Sequence, residues 1–259
     1  MGLIDSHAHL TFPELSGQIE DVLDRCVEVG VDRIITIGLD LGDAKRAIGV
    51  ARKYPQRVSV AVGFHPHNAA KVKPGDQARM GRLLDDPLVV AFGEMGLDYY
   101  HDFADRASQH SVFTAQLRAG AARDLPLIIH CREAYDDAER LLIEHGFKDR
   151  RVVFHCFTGS ADEARRIADN GWRISFTGIV TYRKSTDLQE IARTYPAEAL
   201  MVETDSPYLS PDPVRGKRPN EPAYVVHTAR FLAALRGVEF EELVEQTERN
   251  TRTFFGLPA

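Results

Sequence analysis

Short runs rich in β-branched residues recur along the chain, beginning at Leu3, Asp32, Arg57, Leu88, Pro126, Arg151, Trp172 and Ala199. Each is about as long as a strand, and the gaps between them carry apolar positions at helical spacing. Between the first two runs Leu15, Ile19, Leu23 and Cys26 form such a stripe, and Gly30 ends it. Ahead of the seventh run Ser160 and Glu163 form a capping box, and Gly171 closes the helix they start. Strands alternating with helices imply right-handed parallel βαβ units. Eight such units in 259 residues match the size of a closed (β/α)8 TIM barrel. An open doubly wound sheet alternates too, but no G-x-G-x-x-G turn follows the first run. The proline- and charge-rich stretch from Ser210 to Pro222 follows the last strand and reads as a long loop rather than a linker. The expectation is therefore one α/β domain over residues 1–259, with its site at the C-terminal ends of the strands.

Composition adds limits. A content of 44% hydrophobic and 27% charged residues is ordinary for a globular protein. The formal net charge of −6 argues against a protein that coats nucleic acid through a basic surface. It leaves room for an enzyme that grips one strand end. Three cysteines without CxxC spacing point to a reduced compartment, and a cytoplasmic location is expected. No apolar run reaches the length of a membrane span, and no signal-peptide pattern precedes the first strand. "MGLIDS" matches a myristoylation pattern, but Gly2 runs straight into the strand and leaves no free arm.

The polar residues fall in phase. His7 and His9 end the first strand, and residues two apart on a strand share a face, with Asp5 on the same side. Alone, a His-x-His pair recurs by chance. However, His65 closes the third strand, Glu94 the fourth, His130 the fifth, His155 the sixth and Asp205 the eighth. With His67, six of the ten histidines fall at one rim. Each singly reads as a buried polar residue satisfied by hydrogen bonds; together they read as a metal site. Four histidines, one glutamate and one aspartate exceed the needs of one tetrahedral zinc. They suit two divalent cations bridged by Glu94, which about 3.5–4 Å apart can clamp attacking and leaving oxygens. Asp205 is both a candidate ligand and the candidate acceptor of the attacking water's proton. Donors this rich in imidazole favour Zn²⁺ or Mn²⁺ over Mg²⁺.

Glu203, two residues before Asp205, should lie one layer deeper, where it either accepts an imidazole N–H or pairs with an arginine or lysine. Cys131 and Cys156, the neighbours of His130 and His155, are expected to point outward toward helices. His101, His110, His145 and His227 fall in loop or helix context and read as surface or structural residues.

These motifs together resemble the TatD family of metal-dependent deoxyribonucleases, within the amidohydrolase-like barrels. "DSHAHL" is similar to the family's opening motif, "VGFHPH" at Val62–His67 to its third-strand motif, and "GEMGLDYY" at Gly93–Tyr100 to its G-E-x-G-L-D-x-Y. "IIHCREA" from Ile128, "VFHCFTGS" from Val153 and "VETDSPYL" from Val202 match the remaining signatures. "RGKRPNEPAYV" resembles the R-N-E-P segment, with Pro219 set between Arg218 and Asn220. The resemblance implies His7, His9, Glu94, His130, His155 and Asp205 as metal ligands and His65 as a group near the substrate phosphate. It also implies hydrolysis of DNA phosphodiesters from the 3′ end, whereas some relatives act on other esters, including aminoacyl-tRNA. Arg132, just beyond His130, is a further candidate for a phosphate contact.

The leading reading is a two-metal phosphodiesterase acting on single-stranded or frayed DNA ends, a monomer with neither membrane nor obligate protein partner. The alternative is a carboxylic ester or amide hydrolase such as a D-aminoacyl-tRNA deacylase, which fold alone does not separate from a nuclease. A metal-binding scaffold without turnover is the reading from another class, and the candidate base Asp205 counts against it. With no aromatic–basic stripe in the sequence, the substrate segment held is expected to be short and terminal.

Overall fold

The computed structural model describes residues 2–258. All eight expected strands form: β1 (Leu3–Ala8), β2 (Val31–Gly38), β3 (Val58–Val62), β4 (Val89–Asp98), β5 (Leu127–Arg132), β6 (Val152–Phe154), β7 (Arg173–Phe176) and β8 (Leu200–Val202). They pair in chain order and every ladder is parallel. Helices fill the crossovers, as a parallel sheet requires. The result is a (β/α)8 TIM barrel. It closes between β8 and β1 through a parallel bridge from Ala8 to Ser206. Two backbone bonds reinforce that seam, Asp205 N–H to His7 O at 3.0 Å and His9 N–H to Ser206 O at 2.8 Å. The closing contacts therefore lie at the C-terminal mouth, among candidate site residues.

Two apolar layers follow from the period-2 alternation of strand side chains. The larger lies between strands and helices and takes Phe92, Met95, Leu97, Ile129, Cys131, Phe154, Ile174 and Phe176. The smaller fills the barrel interior with Ile35, Ile37, Ala61, Ala91, Ile128, Val153 and Met201. Phe254 and Phe255, from the C-terminal helix Phe240–Phe255, join this inner cluster. That helix is pinned by Asn250, whose side-chain amide donates to Ala197 O at 2.7 Å and Leu200 O at 2.8 Å. The inner residues share parity with the polar groups above them: Ile128 with His130, Val153 with His155, Met201 with Glu203.

β4 breaks that parity. Counting from the inward-facing Ala91, simple alternation would turn Glu94 toward the helices. Instead the pairing of β4 with β5 shifts register between Phe92 and Met95, so Met95 and Leu97 face outward. Glu94 and Asp98 consequently face the barrel axis. The glycines flanking this reset, Gly93 at φ +153° and Gly96 at φ +144°, adopt backbone that side-chain-bearing residues rarely take.

A β-carbon on residue 96 would collide with the His130 carbonyl oxygen. Gly96→Ala should therefore destabilise the protein by about 2 kcal/mol or more, read as a lowered midpoint in urea or thermal unfolding. An unchanged midpoint would mean that β4 can re-register at no cost.

Candidate metal centre

Glu94 stands at the centre of the barrel mouth and is 2% exposed. Its Oε1 lies 2.7 Å from His155 Nε2, 2.8 Å from His130 Nδ1 and 3.2 Å from His65 Nε2. Its Oε2 lies 3.3 Å from His7 Nε2. Burial pushes this carboxyl upward, but His155, His65 and His7 outweigh burial and hold it well below the usual carboxylate range. On the other side, Asp205 Oδ1 is 3.1 Å from His9 Nε2 and 3.8 Å from His7 Nε2. Asp205 has left the strand and takes a left-handed backbone at φ +53°, which turns its carboxylate back over the mouth. The His7 and His155 rings stack with centroids 4.0 Å apart. The structure thus brings together the six candidate ligands His7, His9, Glu94, His130, His155 and Asp205, with His65 beside them.

The ring nitrogens show why a cation fits here. His130 directs Nε2 at Asp98 Oδ2, 3.0 Å away, and His155 directs Nδ1 at Glu203 Oε1, 3.3 Å away. Each ring thereby gives one N–H to a carboxylate and turns its other nitrogen on Glu94 Oε1. A lone pair facing a carboxylate oxygen at under 3 Å is repulsive unless positive charge joins them. Burial opposes protonation of these rings, but Glu94 and Glu203 raise His155 well above the usual imidazole range, and Asp98 and Glu94 raise His130. A divalent ion supplies the same charge, and outer carboxylates that fix the tautomer are the usual support of imidazole ligands. Further unmet capacity lies at β1, where both ring nitrogens of His7 and Nδ1 of His9 are buried without a hydrogen bond.

His65 differs. Its Nδ1 accepts the His67 backbone N–H at 3.1 Å, so the ring proton sits on Nε2 and points at Glu94. Burial pushes its pKa down to about 3. It is a neutral ring whose Nε2 lies 3.2 Å from Glu94 Oε1 and 3.2 Å from His130 Nδ1. Arg132 reaches the rim, where it donates to Thr158 Oγ1 at 2.8 Å and lies 5.1 Å from the centre of the Tyr100 ring.

Of the two alternatives for Glu203, the imidazole is the one found. Its Oε2 accepts Ser175 Oγ–H at 2.6 Å, and its Oε1 accepts the Cys156 N–H at 2.8 Å as well as facing His155. Asp5 departs from the expectation that it shares the face of His7 and His9: it pairs with the outward-facing Ile34 ahead of a register irregularity in β1, accepts the Thr204 N–H at 2.9 Å and meets Thr204 Oγ1 at 2.5 Å. Burial pushes its carboxyl up to about 8.

Cys131 packs outward in the outer core as expected, but Cys156 corrects the reading made from parity. β6 stops at Phe154, the chain turns through φ +46° at Cys156, and its Sγ lies 3.6 Å from Thr177 Oγ1 beside the mouth. Alternation holds only while the chain is extended.

Asp98 is the functional candidate that the sequence reading missed. Fully buried, it takes His67 Nε2 at 2.7 Å and His101 Nδ1 at 2.9 Å on the same oxygen that faces His130. Burial pushes this carboxyl up, but His130, His67 and His101 hold it far below the usual range. A signal was available, since Asp98 follows Glu94 by four residues and so shares its face.

Comparison with known proteins agrees with this geometry. The family model described as TatD related DNase matches residues 4–256. The metal-dependent hydrolase YabD of Bacillus subtilis is 37% identical over 255 residues, covering 98% of this chain and 99% of that one. The 3′-5′ ssDNA/RNA exonuclease TatD of Klebsiella pneumoniae is 36% identical over 259 residues, covering 98% of each. Among solved structures, the TatD homologue YjjV of Escherichia coli superposes with a TM-score of 0.93 at 29% identity, over 99% of this chain and 98% of that one. The protein is a hydrolase of the barrel class whose mouth gathers imidazoles and carboxylates. Within that class, the chain belongs to the TatD family.

Asp98→Asn keeps the size of the side chain but removes the charge that orients His130. Affinity for divalent cations should fall about 10–100-fold, measured by titration calorimetry on the stripped protein. Unchanged affinity would make Asp98 a purely structural anchor for the loop that follows β4.

Proposed function

We propose that the protein removes nucleotides from the 3′ end of single-stranded or frayed nucleic acid, using two divalent cations. The observation that carries this reading is the division of Glu94. One oxygen faces His130, His155 and His65, and the other faces His7, next to His9 and Asp205. A carboxylate so divided suits two cations better than one: His130, His155 and Glu94 would hold the first, and His7, His9, Glu94 and Asp205 the second. Such a pair, when bound, supplies Lewis acidity for both the attacking and the leaving oxygen of a phosphodiester. The curated relatives named as exonucleases support the substrate class.

The chain's own residues then divide the work. Burial raises Asp205, but His9 and His7 hold its carboxyl below the usual range, so it stands ionised at neutral pH and can accept a proton from water. His65 offers its Nε2–H to a non-bridging phosphate oxygen. Arg132, held by Thr158, offers the remainder of its guanidinium to a neighbouring oxygen. A site set among strand ends in a barrel mouth favours an unstacked terminal nucleotide over blunt duplex, whose end must first unpair at a cost of a few kcal/mol.

Two ions per chain are expected from elemental analysis of the reconstituted protein. His7→Ala combined with His9→Ala should lose about one of them and nearly all activity; full metal content in that double variant would overturn the ligand assignment. Asp205→Asn retains an oxygen but not the basicity, and turnover on a single-stranded oligonucleotide should fall by about two to four orders of magnitude. Blocking the 3′ end should slow cleavage strongly, and blocking the 5′ end should not. If the loaded protein instead hydrolyses D-aminoacyl-tRNA and leaves every nucleic-acid end intact, the deacylase reading replaces the nuclease one.

A further inference from the structure

Five cations scattered in the sequence are gathered on one edge of the mouth. The loop after β7 carries Arg183 and Lys184, and the loop after β8 carries Arg215, Lys217 and Arg218, all exposed. The two loops are fastened together. Tyr182 Oη–H donates to Ser210 O at 3.0 Å, the Asp212 N–H donates to Thr181 Oγ1 at 2.8 Å, and the Arg215 guanidinium lies 3.8 Å from the centre of the Tyr182 ring. Within the second loop, Ser210 Oγ–H donates to Lys217 O at 2.8 Å. Asp212 is the sole acid in residues 181–184 and 206–219. Among the described residues none of the five cations has a carboxylate partner, although Arg193 on the next helix pairs with Glu190 at 3.2 Å. An acidic chain therefore holds five positive charges without carboxylate partners, among the described residues, on two loops tied together beside its site.

A row of rings runs from the centre toward the same loop. His9 stacks on Phe12 with centroids 4.7 Å apart, and Phe12 meets Tyr208 edge-on at 6.1 Å. Tyr208 is 51% exposed and lies between Asp205, at the start of the β8 loop, and the three cations farther along it. Exposed rings accept stacked bases of any identity, and a flanking line of cations follows their phosphates; this combination is how single strands are held without sequence preference.

We propose that this rim is the track for the body of a single strand, with a base on Tyr208, which Phe12 braces, and phosphates along Arg183, Lys184, Arg215, Lys217 and Arg218. The inference rests on the nuclease reading and extends it from the terminal linkage to the nucleotides behind it. It revises the expectation of a short terminal grip: the aromatic–basic stripe is absent from the sequence as a run, but the fold assembles it. A duplex, whose bases stack on each other, gains nothing from Tyr208, and a polyanion without bases uses only the cations.

The test is binding of a labelled single strand of about 15 nucleotides, with phosphorothioate linkages that resist hydrolysis, to metal-loaded protein across a salt series. Each phosphate contact contributes a slope of about −0.7 in log affinity against log salt. Arg183→Ala, Lys184→Ala and Lys217→Ala combined should therefore flatten the slope by about 2. Tyr208→Ala should weaken binding about tenfold with the slope unchanged, and an abasic strand of equal length should not register that change. Lys53 and Lys148 are exposed at the opposite end of the barrel, ahead of β3 and β6. Removing both should leave the slope as it was. An unchanged slope in the triple variant, or an equal loss in the Lys53 and Lys148 control, overturns the proposal. A steep slope lost in the triple variant, from a protein that digests no nucleic acid, supports the rim and overturns the nuclease reading instead.

Discussion

A buried carboxylate surrounded by imidazoles sets the terms for the rest of this protein. Glu94 has almost no access to water, and an ion so buried is costly unless its neighbours carry compensating charge. Four histidines, two within β1 and β5 and two just past the ends of β3 and β6, supply the neighbours. Their approach depends on β4 resetting its alternation, which depends in turn on two glycines whose backbone other residues rarely adopt. Asp98 and Glu203 then orient two of the rings from behind. The centre is thus three layers deep, and its innermost geometry is determined by residues that touch no substrate.

Much of this was legible in the sequence because barrel strands are short, apolar and regularly spaced, so each polar residue at a strand end stands out against its run. The ring of six candidate ligands could be read in that way, as could the barrel itself. The clearest departure has a plain physical cause, which is that alternation fails where the chain leaves extended geometry. Cys156 lies past the end of β6 in a left-handed turn, so parity misdirects it. Asp98 keeps the phase of Glu94 four residues on, and the reading stopped at Glu94 without following that phase past Gly96. Glu203 was left with two possible partners because burial alone does not name which cation or donor will be near.

Charge was the least legible property. A net value averages over the whole surface, and here an acidic total conceals a basic shelf built from two loops about thirty residues apart in the chain. The pairing of those loops depends on one tyrosine hydroxyl, one threonine hydroxyl and a guanidinium on a ring, none of which announces itself in composition. An acidic body with a cationic rim also has a defined polarity toward anions: long-range repulsion keeps them off the flanks while the rim draws them to the mouth.

The seam between β8 and β1 gives this architecture a mechanical consequence. Seven of the eight strand contacts are parallel ladders, but the eighth is a bridge and two backbone bonds, all at the level of His7, His9 and Asp205. A ring with one weak joint opens first at that joint, so amide protons of His9 and Asp205 are set to exchange with solvent earlier than those of the neighbouring ladders. The residues on either side of the joint are also those whose side chains converge on one another. Anything that draws His7, His9 and Asp205 together therefore acts as a clasp on the whole cylinder, coupling what happens in the mouth to the lifetime of the closed fold.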